Sequence, residues 1–261
     1  MSESPVSRGK FLRSLGKSIP GFVLGAGVAS AARVVAGKLA SGSVATSAPP
    51  PEKHTPFLSS GPGDGNRIAI TFDDGPTPGV TEIILDELKK RELHATFFMI
   101  GARVVAAPDL ARRVAAEGHE IGNHTFNHLK LTTLSDQQVG EEIQKTQDAL
   151  GEIAQYQPSW LRPPYGAFRA SQAAIAQGKN LGVVLWSVDP RDWSQPGATR
   201  IVDTVLSQTK SGAIILCHDL HRQTAQSIPR ILDGLLERGF NFVALSTLIG
   251  LPERKQTAVA A

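Results

Sequence analysis

From Arg67 onward, short apolar runs alternate with longer amphipathic ones. IAITF at 68–72, ATFFMI at 95–100, HEIGNH at 119–124, SWLR at 159–162, GVVLWSV at 182–188, AIILCH at 213–218 and FNFVAL at 240–245 read as strands. TEIILDELKKR at 81–91, Val104 to Glu117, Ser135 to Ile153 and Ile228 to Arg238 carry helical spacing. Gly118 and Gly239 stop two of these helices, and Ser135 with Gln138 has the spacing of a capping box. About seven strands in α/β alternation predict a mostly parallel sheet. Periodicity does not choose between an open sheet and a closed barrel, and no repeat of fixed period is visible.

The polar residues add a second pattern. Asp73 and Asp74 follow the first run, His124 the third, Arg162 the fourth, Asp189 and Asp192 the fifth, and His218 the sixth. In parallel α/β architectures the C-terminal strand ends form the face where ligands bind. Scattered surface charges would not gather at five strand ends.

Before Arg67 the character changes. Residues 1–38 hold six bases and one acid, and an uncharged stretch from Ser18 to Ala32 follows the basic run at 8–17. Fifteen residues suit a signal-peptide core and are short for a membrane span, which needs about 20. Ala29-Ser30-Ala31 offers a cleavage site. SRGKFLR at 7–13 resembles a twin-arginine export signal with Gly9 in place of the second arginine. The expectation is an export signal or N-terminal anchor at 1–38, engaging the export machinery and an extracytoplasmic location. A Ser/Pro/Gly-rich linker follows at 39–66, a folded body at 67–250 and a tail at 251–261. The whole chain carries +3 with a pI near 9.1, but residues 39–261 hold 21 bases against 23 acids. The basic excess therefore belongs to the leader, and no nucleic-acid partner is expected. A single cysteine, Cys217, excludes a disulfide framework within the chain.

The chemistry starts with histidine spacing. His124 and His128 in HTFNH are four apart, which on a helical turn puts both rings on one face. Thr125 follows the first histidine, so this is not HExxH and a base must come from elsewhere. TFDDGP at 71–76 supplies two consecutive carboxylates at a strand end, where neighbouring side chains point in different directions. One can bind metal while the other stays free as a general base. Two histidines and one carboxylate leave coordination positions open, a catalytic pattern. RPPYG at 162–166 places Arg162 and an aromatic on a stiff loop, SVDPRDW at 187–193 offers Asp189, Asp192 and Trp193, and LCHD at 216–219 puts His218 at another strand end.

In order, TFDDGP, HTFNH, RPPYG, DPRDW and LCHD resemble the five motifs of the polysaccharide deacetylase family, the nodulation-protein-B-like carbohydrate esterases of family 4. The resemblance covers about 67–250 and implies a distorted (β/α) barrel of about seven parallel strands, with the active site at their C-terminal ends. It implies metal-dependent removal of N-acetyl groups from N-acetylglucosamine-type residues of peptidoglycan or chitin oligomers. Asp74, His124 and His128 resemble the metal triad and Asp73 the catalytic base. His218 resembles the general acid, Arg162 the partner of Asp73, and Asp192 the partner of His218. The Tyr165 backbone N–H would support the oxyanion, and Trp193 and Leu216 would wall the acetate pocket. The implied cofactor is one divalent ion, zinc first, with cobalt, nickel and iron also compatible. Alternatives are an O-acetyl esterase on acetylated glycans, a non-haem iron oxygenase and a non-catalytic sugar-binding wall protein. The oxygenase is expected on an all-β double sheet, against the alternation seen here.

Overall fold

The computed structural model describes residues 57–251. The leader, most of the linker and residues 252–261 lie outside the described residues. Strand β1 (Arg67–Asp73) is buried from Ile68 to Asp73 because both faces of the sheet are covered. It pairs in parallel with β2 (Thr96–Met99) on one edge and β6 (Ile214–His218) on the other. Beyond β2 come β3 (Glu120–Asn123), β4 (Trp160–Leu161) and β5 (Gly182–Val183), giving the order β5-β4-β3-β2-β1-β6. β7 (Asn241–Phe242) bonds the N-terminal end of β1, through Arg67 and Ile68. Among the described residues all seven strands are parallel, and the sequence expectation of a distorted (β/α) barrel holds.

Closure is made by bridges and not by a full strand. Val188 bridges Ile215, which brings the chain after β5 alongside β6. Leu58 bridges Val184 and Ser60 bridges Ala213, filling the remaining gap. Residues 57–60 thus belong to the barrel, although their composition reads as linker. Main-chain pairing to Val183 O and from Leu185 N holds Leu58 irrespective of side-chain type.

Alternation along the strands sorts the side chains. On β1, Ile68, Ile70 and Phe72 face the outer helices, while Ala69, Thr71 and Asp73 share the inner face. The outer layer includes α1 (Thr81–Lys90), which buries Ile84, Leu85 and Leu88. The barrel interior holds Ala69, Phe98, Trp160, Val184 and Ile214 and is plugged by Leu245 and Leu248 of α8 (Leu245–Leu248). Gly122 belongs to this packing, because a Cβ there would sit 2.3 Å from the Phe98 ring.

Four expected elements differ. Val104 to Glu117 is two helices, α2 (Gly101–Ala106) and α3 (Pro108–Ala116), because Pro108 drives Ala107 out of the helical region. The 182–188 run pairs regularly only at β5, its later residues making isolated bridges. After α4 (Asp136–Ile153), α5 (Ala173–Gln177) and α6 (Ala198–Gln208), helix α7 (Arg222–Glu237) starts two turns before Ile228 and carries Pro229 inside it. The 240–245 run is a two-residue strand that turns into α8, whose first N–H groups are taken by Thr96 Oγ1 and Glu120 Oε2. The Ser135–Gln138 capping box is present as expected. Among the described residues, no helix is long and apolar enough to cross a membrane.

Candidate active site

The C-terminal ends of β1 and β6 place the first two groups. Asp73 and His218 are register partners on adjacent parallel strands and both face inward. Asp74, the next residue, takes a left-handed conformation (φ 78°), which turns its side chain away from that of Asp73. Its N–H is held by Phe98 O.

His124 and His128 lie in the loop after β3, not on a helical turn. Thr125 and His128 both have positive φ (64° and 56°), which no helix accommodates, so the loop and not a helical face brings the rings together. Their Nε2 atoms stand 3.3 and 3.1 Å from Asp74 Oδ1. The Nδ1–H of His124 donates to Arg162 O at 2.7 Å, which in the neutral ring leaves the Nε2 lone pair aimed at Asp74. Asp74 Oδ1 is buried and accepts no hydrogen bond. Lone pairs converging on one point repel unless a cation lies between them. Tetrahedral zinc with bonds of about 2.0–2.2 Å separates its ligands by about 3.4 Å, close to the spacings seen. The three residues therefore fit a divalent ion. Burial opposes a charge on Asp74, yet the two histidine rings against it hold its carboxyl well below the usual range. Burial opposes a proton on His124 as well, but Asp73 and Asp74 raise its pKa. The same two carboxylates that draw a proton there would draw a metal in its place.

Asp73 lies beside the triad, its Oδ2 3.8 Å from His124 Nε2. Arg162 Nη1 donates to Asp73 Oδ1 at 2.7 Å and to Thr71 Oγ1 at 2.6 Å, and Nη2 donates to Leu185 O. Arg162 is fully buried, with its guanidinium 4.1 Å from the Phe98 ring centroid. Removing either partner would strand a buried charge, so the pair is retained as a unit.

His218 is held from the other side. Its Nδ1 lies 2.7 Å from Asp192 Oδ1. The fully buried Asp192 also accepts from His218 N, Thr224 Oγ1 and Trp193 N. Burial disfavours the charged ring, but the Asp192 hydrogen bond and charge push the His218 pKa up to about 9. At neutral pH this ring carries a proton to give.

The walls divide by burial. Leu216 is 2% exposed on the inner face of β6, two residues below His218. Trp193 and Tyr165 are 53% and 68% exposed, so they stand at the rim, not inside a closed pocket. The Tyr165 ring packs on His128 with centroids 4.7 Å apart. Its backbone is left-handed (φ 61°), and among the described residues no acceptor takes its N–H. Asp189 accepts from Arg191 N and shapes the loop only. Cys217 is fully buried on the outer face, and burial pushes its thiol pKa up, away from reactivity.

Three supporting residues carry no role in the motif reading, although Asp219 stands inside LCHD. Asp219 is fully buried against Gly75, where a Cβ would approach its Oδ2 to 1.9 Å, and it accepts from Thr81 Oγ1. Burial first, and then the Asp74 charge, push the Asp219 pKa up to about 7. Thr224 bonds Asp192 from α7, and Glu142 bonds the histidine loop from α4. Glu142 had a visible signal, an acid within the apolar face marked by Val139, Ile143 and Leu150.

The chain matches the polysaccharide deacetylase family model over residues 60–186. A peptidoglycan-N-acetylglucosamine deacetylase of Listeria monocytogenes is 41% identical over 184 residues, 70% of this chain and 39% of that protein. This chain therefore aligns with well under half of the Listeria protein's length. A chitooligosaccharide deacetylase of Rhizobium leguminosarum bv. trifolii is 40% identical over 73% of this chain and 94% of its own. The solved structure of the peptidoglycan deacetylase PdaC from Bacillus subtilis superposes with a TM-score of 0.67 at 40% identity, covering 72% of this chain and 91% of that one. A matching domain model, a relative aligned along nearly its full length and a shared barrel agree with the five motifs: the chain belongs to the polysaccharide deacetylase family.

Proposed function

We propose that this protein is a metal-dependent hydrolase that removes N-acetyl groups from N-acetylglucosamine-type residues of peptidoglycan or chitin oligomers. The observation that carries the proposal is the pairing of opposite charges around one triad. Arg162 holds Asp73 as a base, and Asp192 holds His218 as an acid. Asp74, His124 and His128 would hold the ion, zinc first by donor set. A divalent ion bound there supplies an acidified water and polarises the acetamide carbonyl.

The chain's own groups perform the rest. Asp73 accepts the proton of the attacking water, and its bond to Arg162 keeps the receiving oxygen oriented. The unpartnered Tyr165 N–H donates to the developing oxyanion. His218 delivers its Nε2 proton to the departing amine, while Nδ1 stays on Asp192. An amide nitrogen leaves poorly without a proton, so a histidine charged at neutral pH favours N- over O-deacetylation. Leu216 lines the acetyl methyl, and Trp193 and Tyr165 at the rim meet the sugar ring.

The names of the relatives support a wall or chitin-type glycan as substrate. The near-neutral charge of residues 39–261 suits such a polymer. The leader at 1–38 would deliver the enzyme outside the cytoplasm, with 39–56 as linker, the catalytic domain running from the barrel residues at 57–60 to residue 250, and 251–261 as tail. Acetate release from peptidoglycan, chitin oligomers and acetylated xylan tests the proposal with the purified full chain. Release from an N-acetylated glycan that stops with chelator supports it. Turnover of acetylated xylan alone would make the enzyme an O-acetyl esterase, and no release would leave a sugar-binding protein.

A further inference from the structure

We infer that Glu142 is a positioning residue for the metal triad, holding the loop that carries His124 and His128 in its strained conformation. The inference rests on the triad reading above. Glu142 lies on α4 and is buried. Its Oε2 accepts from Phe126 N at 3.1 Å and Asn127 N at 2.7 Å, and its Oε1 accepts from Asn127 Nδ2 at 2.6 Å. All three partners lie between the two histidines. All three are donors, so the carboxyl serves purely as an acceptor.

The loop needs such a clamp. Thr125 and His128 both occupy the left-handed region, which costs a non-glycine residue and persists only where the surroundings impose it. Three further main-chain groups of the segment, Thr125 N, Thr125 O and Phe126 O, are also taken. Thr125 N donates to Asn123 Oδ1, and Asn123 Nδ2 is tied back to Ile143 O and Gln147 Oε1 of α4. Thr125 O and Phe126 O accept from Gly101 N and Ala102 N. Carbonyls are therefore fixed by α2, and N–H groups by Glu142 and Asn123. Removing Glu142 frees the N–H groups of half-buried Phe126 and exposed Asn127 midway between the ligands, and the loop then relaxes toward ordinary dihedrals. His124 keeps its bond to Arg162 O, so the displacement falls on His128, whose ring has no such main-chain tether among the described residues.

The test is metal affinity and not turnover. Zinc is titrated into the metal-free full chain against a competing chelator, and cobalt binding is followed by its visible absorption. Glu142→Ala is expected to weaken affinity about ten- to a hundredfold, the usual effect of losing a group that orients a ligand. Glu142→Gln keeps an acceptor for both backbone N–H groups and should recover at least half of that loss on a logarithmic scale. Glu141→Ala removes the same charge from the exposed neighbour and should bind like the wild type. A residue that only stabilised the fold would lower the melting temperature equally with and without metal and leave affinity unchanged. Affinity within twofold of wild type for Glu142→Ala overturns the inference, as does a glutamine variant as weak as alanine. Should Glu142→Ala not fold, Asn127→Ala replaces it, with a severalfold loss expected and a change under twofold overturning. His128→Ala is run in parallel: if it binds metal as the wild type does, the triad itself is wrong, whatever Glu142 does.

Discussion

The proposed acid can be tested by removing what keeps it charged. Asp192→Asn deletes the carboxylate 2.7 Å from His218 Nδ1 while leaving shape and volume nearly unchanged. The pKa of His218 stands at about 9 against an ordinary 6.5, and the Asp192 hydrogen bond is the largest contribution raising it. Without it, burial acts against only the charges of Asp73 and Asp74, and the ring falls toward its ordinary 6.5. At pH 8 the protonated fraction then drops from about 0.9 to about 0.03, a loss of about thirtyfold in kcat from protonation alone. At pH 6 the same variant retains most of its charge and loses far less. The alkaline limb of the kcat profile should therefore move down by about two pH units. A bound divalent ion lowers the limb in both proteins, so the difference between them is the readout.

Stability follows the same linkage. His218 has a raised folded pKa, so its stabilisation is full below 6.5 and is lost as pH rises through about 9. Its size is about 3 kcal/mol for a shift of about 2.5 units at a largely buried ring. Denaturant unfolding of the metal-free wild type should weaken over that window, and Asp192→Asn should fall less steeply across it, because His124 and Asp219 titrate in both proteins. An alkaline limb unmoved in Asp192→Asn would remove His218 from the role of acid.

The other predictions concern base, metal and packing. Asp73→Asn should bind metal within a few-fold of wild type by chelator competition yet lose about 10²–10⁴ in kcat; near-full turnover would displace Asp73 as base. His128→Ala should lose both binding and turnover in the same two assays. Dialysis against a chelator should abolish acetate release, and added zinc or cobalt should restore it; turnover that survives chelation refutes the metal role. Gly75→Ala forces its Cβ into the Asp219 carboxyl and should destabilise by about 1–3 kcal/mol in denaturant unfolding, as overpacking does.

Much of the site was legible because strand ends were legible. Apolar runs ending in Asp73, Arg162 and His218 needed only alternation and a polar stop. The loop bearing His124 and His128 was not, because a spacing of four is shared by a helical turn and by a loop with two left-handed residues. The break at Pro108 was visible in principle, and the strength of the flanking helical pattern concealed it. The short β5 and β7 were overread, since a run of apolar residues marks burial and not strand pairing. Residues 57–60 were underread for the converse reason: main-chain pairing holds them, and composition does not report it.

Alternation was enough to read the parallel α/β class and the strand-end face, and the resemblance of the five motifs named the candidate ligands, base and acid. Those properties are local, each written within about six residues. Tertiary structure alone decided which oxygen meets which nitrogen. Asp73 and His218 became neighbours through strand register, across 145 residues of chain. The His124 tautomer was set by a carbonyl on β4's exit, and the histidine loop by an acid on α4. Such pairings depend on how elements pack, and packing is a property of the whole barrel that no short stretch of sequence contains.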